Sequence, residues 1–294
     1  MQPPAPTTRW IGVLCLLITT TGWALGWSVT KIMLRDWPPL FSRGVTGIAA
    51  AALLAVAALA AGERLAVPRS AIGRLAFAAF TNVFAWMGFS MLTLNWLNIG
   101  ESVLLVFTMP LWAMLLAWPV RGTRPTPRAI LALTLGLAGV VVLLSRYGLA
   151  FTPEKTLGVL FALAAAILFA LGTVLNGKPL PLPRIASVMW QVLLGCIPLL
   201  LLGLAFENPD PYALSPMGML MFAYVITIGM GLCYLTWFAA LRHLPPAMAA
   251  TGTLLVPLLG VLSGALFFGE PIGPREATAV ILTLGGVALA LWKT

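Results

Sequence analysis

The chain has 294 residues, 61% hydrophobic and 9% charged, with a formal net charge of +9. So high an apolar share and so low a charged share exclude a soluble globular domain. The basic residues sit singly at the ends of apolar stretches, which excludes a nucleic-acid face and follows the positive-inside pattern of membrane proteins.

A membrane-spanning helix needs roughly 20 mostly apolar residues. Ten such runs are predicted, near residues 10–31, 41–61, 71–93, 101–120, 128–146, 156–176, 185–205, 216–239, 247–268 and 275–293. The breaks between them leave no room for a soluble domain. The first run is too long for the apolar core of a signal peptide and is expected to be a retained helix. Cys15, Cys196 and Cys233 all fall inside runs, so they are expected to pack and not to form a disulfide framework.

In the first run Trp23, Trp27 and Lys31 share a stripe at helical spacing. Trp10, Trp37 and Trp292 lie near run ends, where tryptophan anchors to the membrane interface. In the third run, residues placed 100° apart put Asn82, Trp86, Phe89, Ser90 and Thr93 on one face and Phe77, Phe80 and Phe84 opposite. An asparagine in hydrocarbon requires a partner, so Asn82 faces either a wet cavity or a neighbouring helix. Pro110 and Pro257 fall within the fourth and ninth runs, near Thr108, Thr251 and Thr253; there a missing backbone donor frees a carbonyl or makes a hinge. Tyr224 and Tyr234 share a face of the eighth run. The candidate binding residues are therefore Trp23, Trp27, Asn82, Trp86, Ser90, Thr108, Tyr224, Tyr234 and Thr251, with Pro110 and Pro257 as hinges. Lys31 and Glu101 are expected to snorkel at run ends. No Lys or Arg is expected in the middle of a run, which disfavours doubly charged cargo. The small residues Ala132, Gly136 and Gly139, with Gly285, Gly286 and Ala290, are assigned to close helix packing or a dimer contact.

Sliding the chain by 147 residues aligns 94–144 with 241–291, pairing Pro110 with Pro257 and Gly139 with Gly286. A shift of 146 pairs Ala24-Leu25-Gly26 with Ala170-Leu171-Gly172. Residues 1–150 and 151–294 thus read as two repeats. Five runs in each, an odd number, make the second an inverted copy, an architecture that recurs in secondary transporters. The basic residues place both termini in the cytoplasm. The turns VRGTRPTPRA and FFGEPIGPRE then lie on opposite sides of the membrane, so Glu270 is read as a charge of topology with no role in coupling.

Three further segments carry a likeness to a known family: Trp23-Ala-Leu-Gly-Trp-Ser-Val-Thr-Lys31 with Pro39 and Arg43, Ala240-Leu-Arg-His-Leu244 leading to Pro257, and Gly269-Glu-Pro271 before Gly285-Gly-Val287. In this order the chain resembles the EamA-like branch of the drug/metabolite transporter superfamily, over essentially its full length, and within it the bacterial exporters of aromatic amino acids. Arg121-Gly-Thr-Arg124 departs from the Gly-Glu-Pro turn in the first half. The resemblance implies an all-α inner-membrane transporter of ten helices that exports aromatic or large neutral amino acids by alternating access. A broad drug and metabolite exporter, or a lipid flippase or scaffold, is the alternative. The expected partners are a small-molecule substrate and the lipid bilayer, with the chain a monomer or homodimer and no nucleic acid. No metalloprotease, nucleophile-elbow or paired-carboxylate motif occurs, so neither an enzyme nor a cofactor is expected.

Overall fold

The structure, a computed structural model, describes residues 6–122, 124, 126–145, 152–176, 179–244, 248–249 and 252–291. Its helices are α1 (Pro6–Met33), α2 (Pro39–Ala60), α3 (Arg69–Thr93), α4 (Ile99–Arg121), α5 (Pro127–Leu144), α6 (Pro153–Leu175), α7 (Arg184–Phe206), α8 (Pro216–His243), α9 (Leu255–Phe268) and α10 (Pro274–Leu291). Among the described residues α1–α4 and α6–α8, seven helices, are long and apolar enough to cross a membrane, while α5 and α9 are shorter apolar helices. No strand occurs among the described residues.

Local chemistry explains where these helices begin and end. Proline at the first position opens α2, α5, α6 and α8, where a missing N–H costs nothing. Side-chain caps precede several: Thr126, Thr152 and Ser215 each accept from a first-turn backbone N–H, and Asn98 forms a capping box with Glu101. Gly122 and Gly269 end α4 and α9 at φ of 70° and 63°, left-handed values that glycine adopts without strain.

Two helix pairs pack closely along their length, α2 with α7 and α5 with α10. A Cβ on Gly203 would lie 2.7 Å from Phe41 Cα, and one on Gly44 2.5 Å from Leu200 Cα. Only glycine allows α2 and α7 this approach. In the second pair a Cβ on Gly286 would meet Ala132 O and Gly136 N at 2.6 Å, so the small-residue stripes of α5 and α10 are spent on each other.

Carboxylates fasten the helix ends. Glu207, just past the end of α7, accepts from Leu40 N (3.0 Å) and Phe41 N (2.8 Å) at the start of α2. Glu63, just past the end of α2, accepts from Ile185 N (3.3 Å) and Ala186 N (2.8 Å) at the start of α7. The pair is thus stapled reciprocally at both ends. Glu270 after α9 accepts from Ile99 N (2.8 Å) and Gly100 N (3.1 Å) and forms a 3.0 Å ion pair with Lys31. Such contacts satisfy first-turn donors and place negative charge at the positive end of the helix dipole.

Three expectations change as a result. Glu270 is a structural acceptor joining α1, α4 and α9, so topology alone does not account for it. Lys31 and Glu101 do not snorkel: Lys31 is paired, and Glu101 is 2% exposed with Lys155 Nζ 3.6 Å away. Trp37 is no interface anchor, since it is buried against Phe41 and Phe222 and donates to Asp210 O. Trp10 is exposed, and Trp292 lies outside the described residues.

Glu63→Ala and Glu207→Ala each strand two backbone donors. Each is expected to lower stability by about 1–3 kcal/mol, and the double variant by nearly the sum because the sites lie at opposite ends of the pair. Thermal unfolding of the purified protein in detergent measures both.

Candidate substrate cavity

A cavity of about 840 Å³ opens between α1, α2, α3, α4, α6, α7 and α8 and the start of α9. That volume lies within the roughly 300–1,000 Å³ usual for small-molecule sites. Its walls are mostly apolar and aromatic, with a few polar groups.

On α3 the lining residues are Asn82, Trp86, Ser90 and Leu94, with Val83, Met87 and Met91 beside them. Both rows step by four. In a regular α-helix every fourth residue drifts by about 40° and would soon leave the cavity. Residues Phe80–Phe89 instead form a π-helix, whose wider i→i+5 turn drifts the other way and so offsets the drift of the α-helical residues that follow. This is why Phe89 and Thr93, expected on the lining face, turn away: Phe89 packs against Phe161 and Thr93 is fully buried. A second π-helix, Val225–Leu232, interrupts α8 where Val225, Gly229 and Met230 line the cavity.

Crossed hydrogen bonds clasp α1 to α8. Trp23 Nε1 donates to Gly229 O (3.1 Å), and the Tyr224 hydroxyl donates to Gly22 O (3.0 Å). The polar ends of both aromatics are occupied, so each offers the cavity a ring face. Trp23 meets Tyr234 edge-on with centroids 5.7 Å apart and lies 5.8 Å from Trp237. On the α3–α6 side Trp86 lies 4.7 Å from Phe169 and 6.0 Å from Phe107. Trp23 and Phe169 stand in register under the 146-residue shift, so each half supplies an aromatic pair.

Asn82 satisfies both of its expected alternatives. It lines the cavity, and its Nδ2 donates to Gln191 Oε1 on α7 at 2.9 Å. Gln191 in turn donates to Ser187 O and Oγ. Trp27, Ser90 and Pro110 also line the cavity.

Other candidates stand elsewhere. Thr108 is fully buried outside the lining; its hydroxyl donates to Leu105 O and accepts from Trp112 Nε1. Pro257 is buried in packing and does not line the cavity. Thr251 lies outside the described residues. The two prolines are not mid-helix kinks either. The chain leaves helix at Phe107–Thr108 and at Thr253–Leu254, and Pro110 and Pro257 fall in the first turn of the segments that restart at Met109 and Leu255. Proline is tolerated there because its N–H would have no intrahelical acceptor.

Sequence reasoning missed Arg43, Gln191, Phe107, Phe169 and Trp237 on the lining. Arg43 was read as a topology charge at the start of the second run, yet Pro39 fixes the start of α2 and so carries Arg43 a full turn inside the helix. Arg43 therefore stands one turn inside α2, short of the middle of the span. Phe169 was legible as the repeat partner of Trp23.

The EamA-like transporter family's sequence model matches the chain twice, over residues 10–145 and 156–292. The chain belongs to the EamA-like transporter family. It is a multi-pass inner-membrane transporter and not an enzyme. This EamA-like chain is similar to the uncharacterized transporter YvbV of Bacillus subtilis, at 27% identity over 98% of this chain and 93% of that one. It is also similar to a probable amino-acid metabolite efflux pump of Salmonella typhimurium, at 27% identity over 94% and 93% of the two chains. A solved crystal structure shares the fold with a TM-score of 0.67, covering 98% of this chain and 97% of that one at 23% identity.

Trp23→Phe and Tyr224→Phe keep the aromatic walls but remove one strand each of the α1–α8 clasp. Each is expected to cost about 1 kcal/mol, read as a lowered Tm in detergent with the fold otherwise intact.

Proposed function

We propose that this EamA-like transporter exports aromatic or other large neutral amino acids, and related metabolites, by alternating access. The cavity carries this reading: it is large enough for such solutes, walled by Trp23, Trp86, Phe107, Phe169, Tyr234 and Trp237, and furnished with the Asn82–Gln191 amide pair. Aromatic rings meet an aromatic side chain through offset or edge contacts, and amides can address its polar end. The efflux-pump relative's name agrees with the direction and cargo.

Ten spans arranged as two inverted five-helix repeats, residues 1–150 and 151–294 with both termini cytoplasmic, would give this export its machinery. The reciprocal Glu63 and Glu207 staples support that arrangement, as do the matched Gly122 and Gly269 stops, the paired π-helices and the restarted helices α4 and α9. In such repeats substrate sits between halves that rock about it. Interrupted helices facing the cavity are natural points for that motion, because few backbone bonds must break there.

The test is flux of labelled phenylalanine from proteoliposomes, with and without a pH gradient. Trp86→Ala and Asn82→Ala are expected to reduce it about fivefold to thirtyfold, each removing a group worth of order 1–2 kcal/mol to a bound solute. Unchanged flux in both variants would sink the cavity as the route. Competition by cationic drugs as strong as that by tryptophan would favour a broad exporter, and no solute flux by folded protein a flippase or scaffold.

A further inference from the structure

We propose that Arg43 is the anion-binding subsite of the cavity, holding the carboxylate of the transported solute. The proposal rests on the transport reading above, which it deepens by assigning one end of the substrate.

Arg43 lies on α2, four residues beyond Pro39 and so about 6 Å along the helix from its start. Its side chain lines the cavity. Among the described residues it makes no ion pair, and its Nε is buried without a hydrogen-bond partner. A guanidinium carries five N–H donors and stays protonated. An unpaired one inside a membrane protein is costly, and such residues characteristically line substrate paths.

Among the described residues that line the cavity, none is acidic. Glu207 is the carboxylate bound to the same end of α2, and its two oxygens already accept from Leu40 N and Phe41 N. Tyr234 and Cys196 are close enough to Arg43 to interact electrostatically, and neither supplies a standing negative charge. Ser90 also lines the cavity, and its hydroxyl is buried without a hydrogen-bond partner. Among the described lining residues Arg43 is the one charge, an uncompensated cation that suits a monoanion. A carboxylate fits the planar fork of a guanidinium in a bidentate pair. A single arginine balances one charge, which separates this ligand from a phosphate dianion. The solute's apolar body then lies against the rings of Trp23, Trp86 and Tyr234.

Trp23, Trp27, Trp86 and Trp237 line the cavity, so their intrinsic fluorescence can report ligand entry in the purified full-length protein. Three probes separate the charges: phenylalanine, 3-phenylpropionate with the carboxylate alone, and phenylalaninamide without it. The wild type is expected to bind both carboxylates about tenfold to a hundredfold more tightly than the amide, the range for a hydrogen bond to a charged group. Arg43→Gln is expected to erase that preference while leaving the amide's affinity unchanged, and Arg43→Lys to keep part of it. Equal binding of all three probes by the wild type overturns the proposal without recourse to any variant. So does an equal loss for all three in Arg43→Gln, which would mark a packing role, or an absence of binding by either carboxylate. If 3-phenylpropionate binds through Arg43 while phenylalanine is neither bound nor exported, the subsite stands and the amino-acid cargo falls. If phenylalanine is exported and Arg43→Gln binds all three probes as the wild type does, the export reading stands and the subsite falls.

Discussion

Everything in this bundle depends on satisfying the backbone N–H groups at the beginnings of helices. Every helix starts with donors that have no intrahelical acceptor, and a buried one left unpaired costs about 1–3 kcal/mol. The chain solves this with carboxylates borrowed from other helices. Glu207 closes the start of α2, Glu63 that of α7 and Glu270 that of α4, while Asp36 accepts from Ser215 N and Oγ where α8 begins. Each contact does two jobs. It satisfies a helix end and also fixes which helix stands beside which, so capping chemistry becomes tertiary structure.

The same requirement governs where the helices are allowed to break. A binding cavity within a membrane needs helices that depart from regular geometry, but an exposed carbonyl or N–H cannot be left over. In α3 and α8 the departure is a π-helix, which keeps backbone bonding and merely widens the turn. The carbonyl of Gly229 within the second of these accepts the Trp23 indole, so the irregularity itself is used to join α1 to α8. In α4 and α9 the departure is a stop and restart, with proline placed where a donor would have been surplus. The cavity is thus built from irregular helices whose irregularities are each paid for locally.

How much of this was legible in the sequence follows from the range of each interaction. The apolar runs, the glycine stops and the 146- and 147-residue registers are local or periodic, and the helices observed fall on the expected runs. The aromatic candidates Trp23, Trp86, Tyr224 and Tyr234, which line the cavity, were legible because helical spacing marks one face on each of their helices. The π-helices escaped, since the i→i+5 pattern has no composition of its own, and with them went the true lining row of α3. Thr108 was misassigned because a threonine near a proline reads the same whether its hydroxyl faces a cavity or, as here, closes back onto Leu105 O. The staples could not be read at all: Glu63 and Ile185 are 122 residues apart, and nothing local marks them as partners.

That long-range accounting also explains the charge inside the cavity. The chain has eight acids against 17 basic residues. Asp36, Glu63, Glu101, Glu207, Asp210, Glu270 and Glu276 each accept a backbone N–H in a helix start or turn, leaving Glu154 in the first turn of α6. Carboxylates committed to backbone donors are held at the helix ends, and none of them lines the cavity. The positive excess that sequence reading assigned wholly to membrane topology therefore has a second physical consequence. Because the acids stand at helix starts and turns, the one arginine on the described cavity wall has no acid beside it, and a monoanionic solute is the counter-charge proposed for it.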